Sequence, residues 1–213
     1  MEILNYLSEI YKILGFLPLT IVIYKYLSGF KLNKSIINFL PFIILMFVAT
    51  IIECKIFNYN VKKWIWFYDF FEFFTLLFFF YTELNYKKIY SFFSVSYLIL
   101  FIYLCSIWKK GSIEDQPLVF STVILVLAST VLWFINVFNN FEETPLYRRT
   151  SFYVVGIVLF YILSTSLSFI AIDYFMEYDR ESSYILKRIN FIFNIISRFI
   201  ISIIIFKSSY KRV

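Results

Sequence analysis

Seven runs of mostly apolar residues alternate along the chain with short polar connections. They cover approximately Ile10–Leu27, Ile36–Phe57, Trp64–Thr82, Ile89–Trp108, Leu118–Phe138, Phe152–Phe175 and Ile185–Phe206. A hydrocarbon core of about 30 Å takes roughly 20 apolar residues of α-helix to cross. A helix also satisfies its own backbone N–H and C=O groups, which lipid cannot do. The connections, "KLNKS", "NYNVKK", "NYKK", "KKGSIEDQ", "NNFEETPLYRRT" and "EYDRESS", are short and polar, so neighbours in sequence are expected to pack as neighbours in space. The pattern predicts an all-α polytopic membrane protein: one domain, residues 1–213, folded as a bundle of seven transmembrane helices.

Composition reinforces this picture. The 213 residues are 61% hydrophobic and 24% aromatic, with a mean hydropathy of +0.78. A soluble domain of this size is about 45–50% apolar. Phe, Ile, Tyr, Lys and Asn are abundant while Gly and Pro number four each, the bias of AT-rich codons, and it points to a low-GC bacterial genome. The start, "MEILNYLSEIYKILGFLPLT", is acidic before it is apolar and has no small-residue cleavage site, so it is not read as a signal peptide.

Lysine and arginine set the expected orientation. With the N-terminus outside, the cytoplasmic segments hold Lys31, Lys34, Lys87, Lys88, Arg148, Arg149, Lys207, Lys211 and Arg212, and Lys25 can snorkel to the same side. The opposite face holds Lys55, Lys62, Lys63, Lys109, Lys110 and Arg180, together with the acids Asp173, Glu177, Asp179 and Glu181; Lys187 and Arg188 can join it. The modest bias favours N-out, C-in in a bacterial inner membrane.

Absences narrow the chemistry. There is no histidine, and the two cysteines, Cys54 and Cys105, form no CxxC pair. This speaks against a zinc site and a histidine-based triad. No cofactor is expected. Two free buried thiols are a simpler reading than a disulfide. Only Pro18 lies well inside a predicted span, no GxxxG occurs, and no internal repeat is evident, so the broken helices of repeat-built transporters have no support here.

Ionisable groups in a span are costly, about 2.5–3.5 kcal/mol at the helix centre on insertion scales, and generally face protein or water. Asp69 and Glu72, three residues apart in "WIWFYDFFEFFTLLFFFY", share one helical face with Thr75, beside Tyr68. Glu53 ends the second span. The seventh span, "ILKRINFIFNIISRFIISIIIFK", carries Lys187, Asn190, Asn194 and Arg198 in a single stripe. A helical side chain leans toward its own N-terminus, so Arg198 is expected to reach back toward Glu72 or Asp69. Three readings follow. The pair fixes helix register, or the residues line a water-filled cavity or pore, or the carboxylates do acid–base work. The last has no accompanying nucleophile or metal motif.

Weaker features fit within this frame. The hydroxyls of "LSTSLS" (163–168) most simply bond backbone. Ser129, Thr130, Trp133 and Asn136 are placed to line the same cavity. Trp64, Trp66 and Trp108 are read as interfacial anchors. The basic tail "KSSYKRV" obeys the positive-inside rule, and its charge is far too small for an RNA-binding site, so no direct nucleic-acid site is expected.

The segment "IIECKIF" followed by "WIWFYDFFEFFTLLFFFY" resembles small seven-span proteins of Bacteroidetes, and is similar to the membrane accessory proteins encoded beside the RNA-guided RNase of type VI-B CRISPR systems. The resemblance spans the chain loosely. It implies a non-enzymatic inner-membrane effector or regulator in antiviral defence that modulates the RNase, or that permeabilises and depolarises the membrane as a pore when phage is sensed. Its implied partners are the lipid bilayer, an RNA-guided RNase and further copies of itself. The residues themselves equally accommodate a small-solute or ion transporter using the Glu53, Asp69, Glu72 and Arg198 cluster, or a seven-span receptor.

Overall fold

The computed structural model describes residues 2–55, 61–107, 116–140, 145–208 and 210–211, with most of their side chains. Seven helices follow in order: α1 (Glu2–Leu27), α2 (Lys34–Lys55), α3 (Val61–Leu84), α4 (Lys87–Ile107), α5 (Gln116–Asn139), α6 (Thr150–Tyr178) and α7 (Arg180–Ser208). Each predicted run maps onto one helix. Six of the helices are long and apolar enough to cross a membrane, and α6 supplies the apolar stretch Thr150–Ser166. The fold is therefore the expected all-α membrane bundle.

Local chemistry sets the helix ends. Asn33 accepts the Ser35 amide on its side-chain oxygen at 3.0 Å, and Asp179 accepts the Glu181 amide at 3.0 Å. Both are N-caps that satisfy a donor left over at a helix start. Past the last turn of α1 stands Gly29 at φ +77°, and past α3 stands Asn85 at φ +57°; these residue types enter the left-handed region most readily. Pro41 lies inside α2 as Pro18 lies inside α1.

Six helices form a closed ring in the order α1, α2, α3, α5, α6, α7, with α2 also meeting α6 across it. Helix α4 packs outside, on α3 and α5. The Tyr97 ring stacks on Phe73 with centroids 3.7 Å apart, and its hydroxyl donates to the Asp69 carbonyl at 3.1 Å. The Tyr90 hydroxyl donates to Ser129 at 3.2 Å, which ties α4 to α5.

α1 and α7 run parallel and are joined at their C-terminal ends. Two short strands, β1 (Phe30–Lys31) and β2 (Tyr210–Lys211), pair antiparallel there. Beside them the Lys25 ammonium sits 4.2 Å from the Phe30 ring centroid and 3.9 Å from that of Phe206. This half of the bundle is apolar along its axis: Phe39, Phe42, Met46, Leu76, Phe79 and Ile205 are all buried.

Two expectations change. Trp66 is not an interfacial anchor: it is 4% exposed and packs toward Phe101 on α4, because the peripheral helix covers that face of α3. The Trp64 side chain and Trp108 lie outside the described residues. Cys54 and Cys105 are free, as expected, but exposed rather than buried, since both lie on outward helix faces.

Candidate functional site

A cavity of about 290 Å³ lies in the half of the bundle that holds the N-terminus. Six helices line it: α1 with Tyr11, α2 with Glu53, α3 with Ile65, Tyr68, Asp69 and Glu72, α5 with Val119, α6 with Tyr161, Thr165 and Ser166, and α7 with Asn190 and Asn194. The α3 contribution follows from helical geometry, since positions 65, 68, 69 and 72 form one face. The three acids are thus brought to one cavity, together with two members of the α7 stripe.

Glu72 is held by tyrosines. The Tyr161 hydroxyl donates to its Oε1 at 3.1 Å. The Tyr68 and Tyr161 hydroxyl oxygens are 2.9 Å apart. Because the Tyr161 proton goes to Glu72, Tyr68 donates to Tyr161, which gives a two-step relay from α3 through α6 and back. Asp69, one turn away, is 6% exposed. Glu53 accepts the Tyr11 hydroxyl at 3.3 Å.

Arg198 does not pair with Asp69 or Glu72. Its Nη1 donates to the Tyr11 carbonyl at 2.8 Å and to the Thr50 hydroxyl oxygen at 3.3 Å. Its guanidinium carbon lies 3.6 Å from the Tyr11 ring centroid, and it is 3% exposed. Thr50 passes its own proton to the Met46 carbonyl at 2.8 Å. The seat exists because α1 has glycine at position 15: a Cβ there would overlap Thr50 Oγ1 and Arg198 Nη1. The expected reach toward α3 fails because α7 is packed against α1 along its length, and α1 offers Arg198 a carbonyl and a π face at closer range. Arg198 sits instead over Tyr11, whose hydroxyl bonds Glu53.

The remaining stripe divides. Asn194 Nδ2 donates to the Asn190 carbonyl and Oδ1 at 3.0 and 2.9 Å, so these two form one polar step on the cavity wall. Lys187 is not among the lining residues; its ammonium lies 5.7 Å from the Tyr184 ring on its own helix. Ser129, Thr130, Trp133 and Asn136 do not line the cavity either. Ser129 serves Tyr90, and Trp133 packs against Phe152 with centroids 6.2 Å apart. The "LSTSLS" hydroxyls do bond backbone, Thr165 to the Tyr161 carbonyl at 2.7 Å and Ser168 to that of Ser164 at 2.8 Å. Thr165 and Ser166 nonetheless also face the cavity. Tyr11 and Tyr161 carried no signal in the sequence, where 18 tyrosines mask two that matter.

Among the described residues, no group of three or more His, Cys, Asp or Glu is placed to hold a metal ion. The acids are spread around the wall rather than focused on a point. What the arrangement can do is hold a small, positively charged or hydrogen-bond-donating molecule in a membrane interior. No protein-family model, curated protein or solved structure matches this chain.

Proposed function

We propose that the protein is a membrane transporter whose small cationic solute binds in the cavity lined by Glu53, Asp69 and Glu72. The carrying observation is that three carboxylates line one cavity of about 290 Å³. Buried acids in a bilayer need protons or a bound cation to balance them. Pockets for drug-sized ligands run from about 300 to 1,000 Å³, so this one suits a small solute.

The same cavity stops short of the other side. The buried side chains of Phe42, Met46, Leu76 and Phe79 fill the axis beyond Arg198. A one-sided polar cavity closed by an apolar layer is the form expected of a binding protein that alternates access. A permanently open pore has no such layer. The modest lysine and arginine bias favours an N-terminal end, and so a cavity mouth, on the outer side of a bacterial inner membrane.

The test is uptake into proteoliposomes made with the purified chain. Labelled methylammonium and rubidium serve as probes, each with and without excess unlabelled cation. Saturable uptake above protein-free vesicles, lost in Glu72→Gln, is the expected result. Flux of neither probe above the vesicle background overturns the reading.

A further inference from the structure

The three acids of the cavity are not equivalent. Glu53 has a cation close by without a direct ion pair: Tyr11 donates to it at 3.3 Å, and the Arg198 guanidinium lies over the same tyrosine ring. Glu72 sits against tyrosine hydroxyls, with Tyr161 donating at 3.1 Å and Tyr68 behind it at 2.9 Å. Among the described residues no Lys or Arg lies within salt-bridge distance of it. Glu72 therefore takes its balancing charge from outside the protein, as a proton or as a bound cation.

The hydrogen-bond inventory of the wall identifies the kind of counter-charge. The hydroxyl protons of Tyr11, Tyr161 and Thr165 go to Glu53, Glu72 and the Tyr161 carbonyl, and that of Tyr68 goes to Tyr161. The Asn194 amide protons go to Asn190. These groups therefore present mainly oxygen lone pairs and aromatic faces. An ammonium group has three donors and no acceptor, and aromatic faces attract it as well. Ile65 and Val119 add an apolar patch to the lining. A bare metal ion is served less well, because the acids do not converge.

We propose that the ligand is a small primary alkylammonium ion. Its head group sits on Glu72 beside Tyr68 and its carbon chain lies toward Ile65 and Val119, while Glu53 keeps Arg198 close by. This rests on the transport reading and names its substrate class. Binding exchanges the water shell of the ammonium for the carboxylate and hydroxyl oxygens, and no bond is made or broken.

The experiment is isothermal titration of the full chain in detergent with n-butylammonium, and in parallel with n-butanol, potassium and magnesium. Expected is saturable binding of n-butylammonium and none of n-butanol. Glu72→Gln should weaken it about tenfold or more, as loss of a charge-assisted contact does, and Glu53→Gln by less than about threefold. Tyr161→Phe, which keeps the ring and removes the hydroxyl on Glu72, should weaken it by several fold, and it decides the matter if Glu72→Gln does not fold. Unchanged affinity in Tyr161→Phe together with loss in Glu53→Gln would overturn the assignment to Glu72. Binding of potassium or magnesium without n-butylammonium would overturn the ligand class and leave the cavity as a cation site. Binding of no cation at all would remove the transport reading with it.

Discussion

Replacing Arg198 with methionine separates two accounts of the polar cluster. The side chain is 3% exposed, so methionine fills most of the stem volume and removes only the charge and its bonds. Lost are a 2.8 Å hydrogen bond to the Tyr11 carbonyl, a 3.3 Å bond to Thr50 and the guanidinium–ring contact. Hydrogen bonds to charged groups contribute about 1.5–3 kcal/mol each, and a desolvated cation–π contact contributes about 2 kcal/mol. Against this stands the several kcal/mol recovered by no longer burying a guanidinium. Thr50 retains its bond to the Met46 carbonyl, so little is stranded there. Glu53, which is half-buried, loses a nearby positive charge but keeps the Tyr11 hydroxyl, so little is stranded there either. The net expectation is a loss of about 3 kcal/mol. The informative quantity is the coupling measured by reversible unfolding in mixed micelles across two double-mutant cycles. Arg198→Met with Glu53→Gln should be less destabilised than the sum of the singles by about 1–2 kcal/mol, whereas Arg198→Met with Glu72→Gln should be additive within about 0.5 kcal/mol. Coupling to Glu72 and none to Glu53 would refute the placement of Arg198 between α1, α2 and α7.

Gly15→Ala should destabilise by about 1–3 kcal/mol, as overpacking does; Thr50→Ala in the same chain should recover part of that loss, because Thr50 contributes two of the three atoms the new Cβ meets, and no recovery in the same micelle assay would contradict the geometry. At the junction of α6 and α7, hydrogen bonds from the Ser182 hydroxyl and from the Ser182 and Glu181 amides hold the Asp179 carboxyl below the usual aspartate range. A depressed value means its contribution is present above the unfolded-state pKa and lost as pH falls through the folded one, so hydrogen exchange at Glu181–Ser183 at neutral pH should rise in Asp179→Ala, and equal exchange in the two proteins would contradict the cap.

The helices were legible because lipid leaves few alternatives: length and hydropathy of each run suffice, and the seven runs map onto seven helices with ends set by Asn33, Gly29, Asn85 and Asp179. The face of α3 was legible for the same reason, since an i, i+3 spacing fixes Asp69 and Glu72 together whatever surrounds them. Partners were not. Which helix α7 presses against is a property of the whole bundle, and Arg198 followed the α1–α7 contact to Tyr11 rather than the charge to Glu72. The value of Gly15 lay in what it lets approach, and that is visible only once Thr50 and Arg198 are in place. Tyr161 could be singled out only by its depth on α6 opposite Glu72. Trp66 was misassigned because the sequence does not reveal that α4 covers it.

A wet, anionic cavity reached from the N-terminal side exposes Ser166, which lines it, to reagents from that side alone. Cys54 and Cys105, both exposed, are first replaced by serine, and Ser166→Cys is introduced in proteoliposomes of known orientation. Methanethiosulfonates bearing trimethylammonium or sulfonate are then applied to one face at a time, and the labelling rates compared. Labelling is expected from the N-terminal face, about tenfold faster for the cationic reagent, as a cleft of one charge sign focuses ions of the other, with the preference reduced by Glu72→Gln. Labelling from the opposite face, equal rates for the two reagents, or no labelling from either side would contradict it.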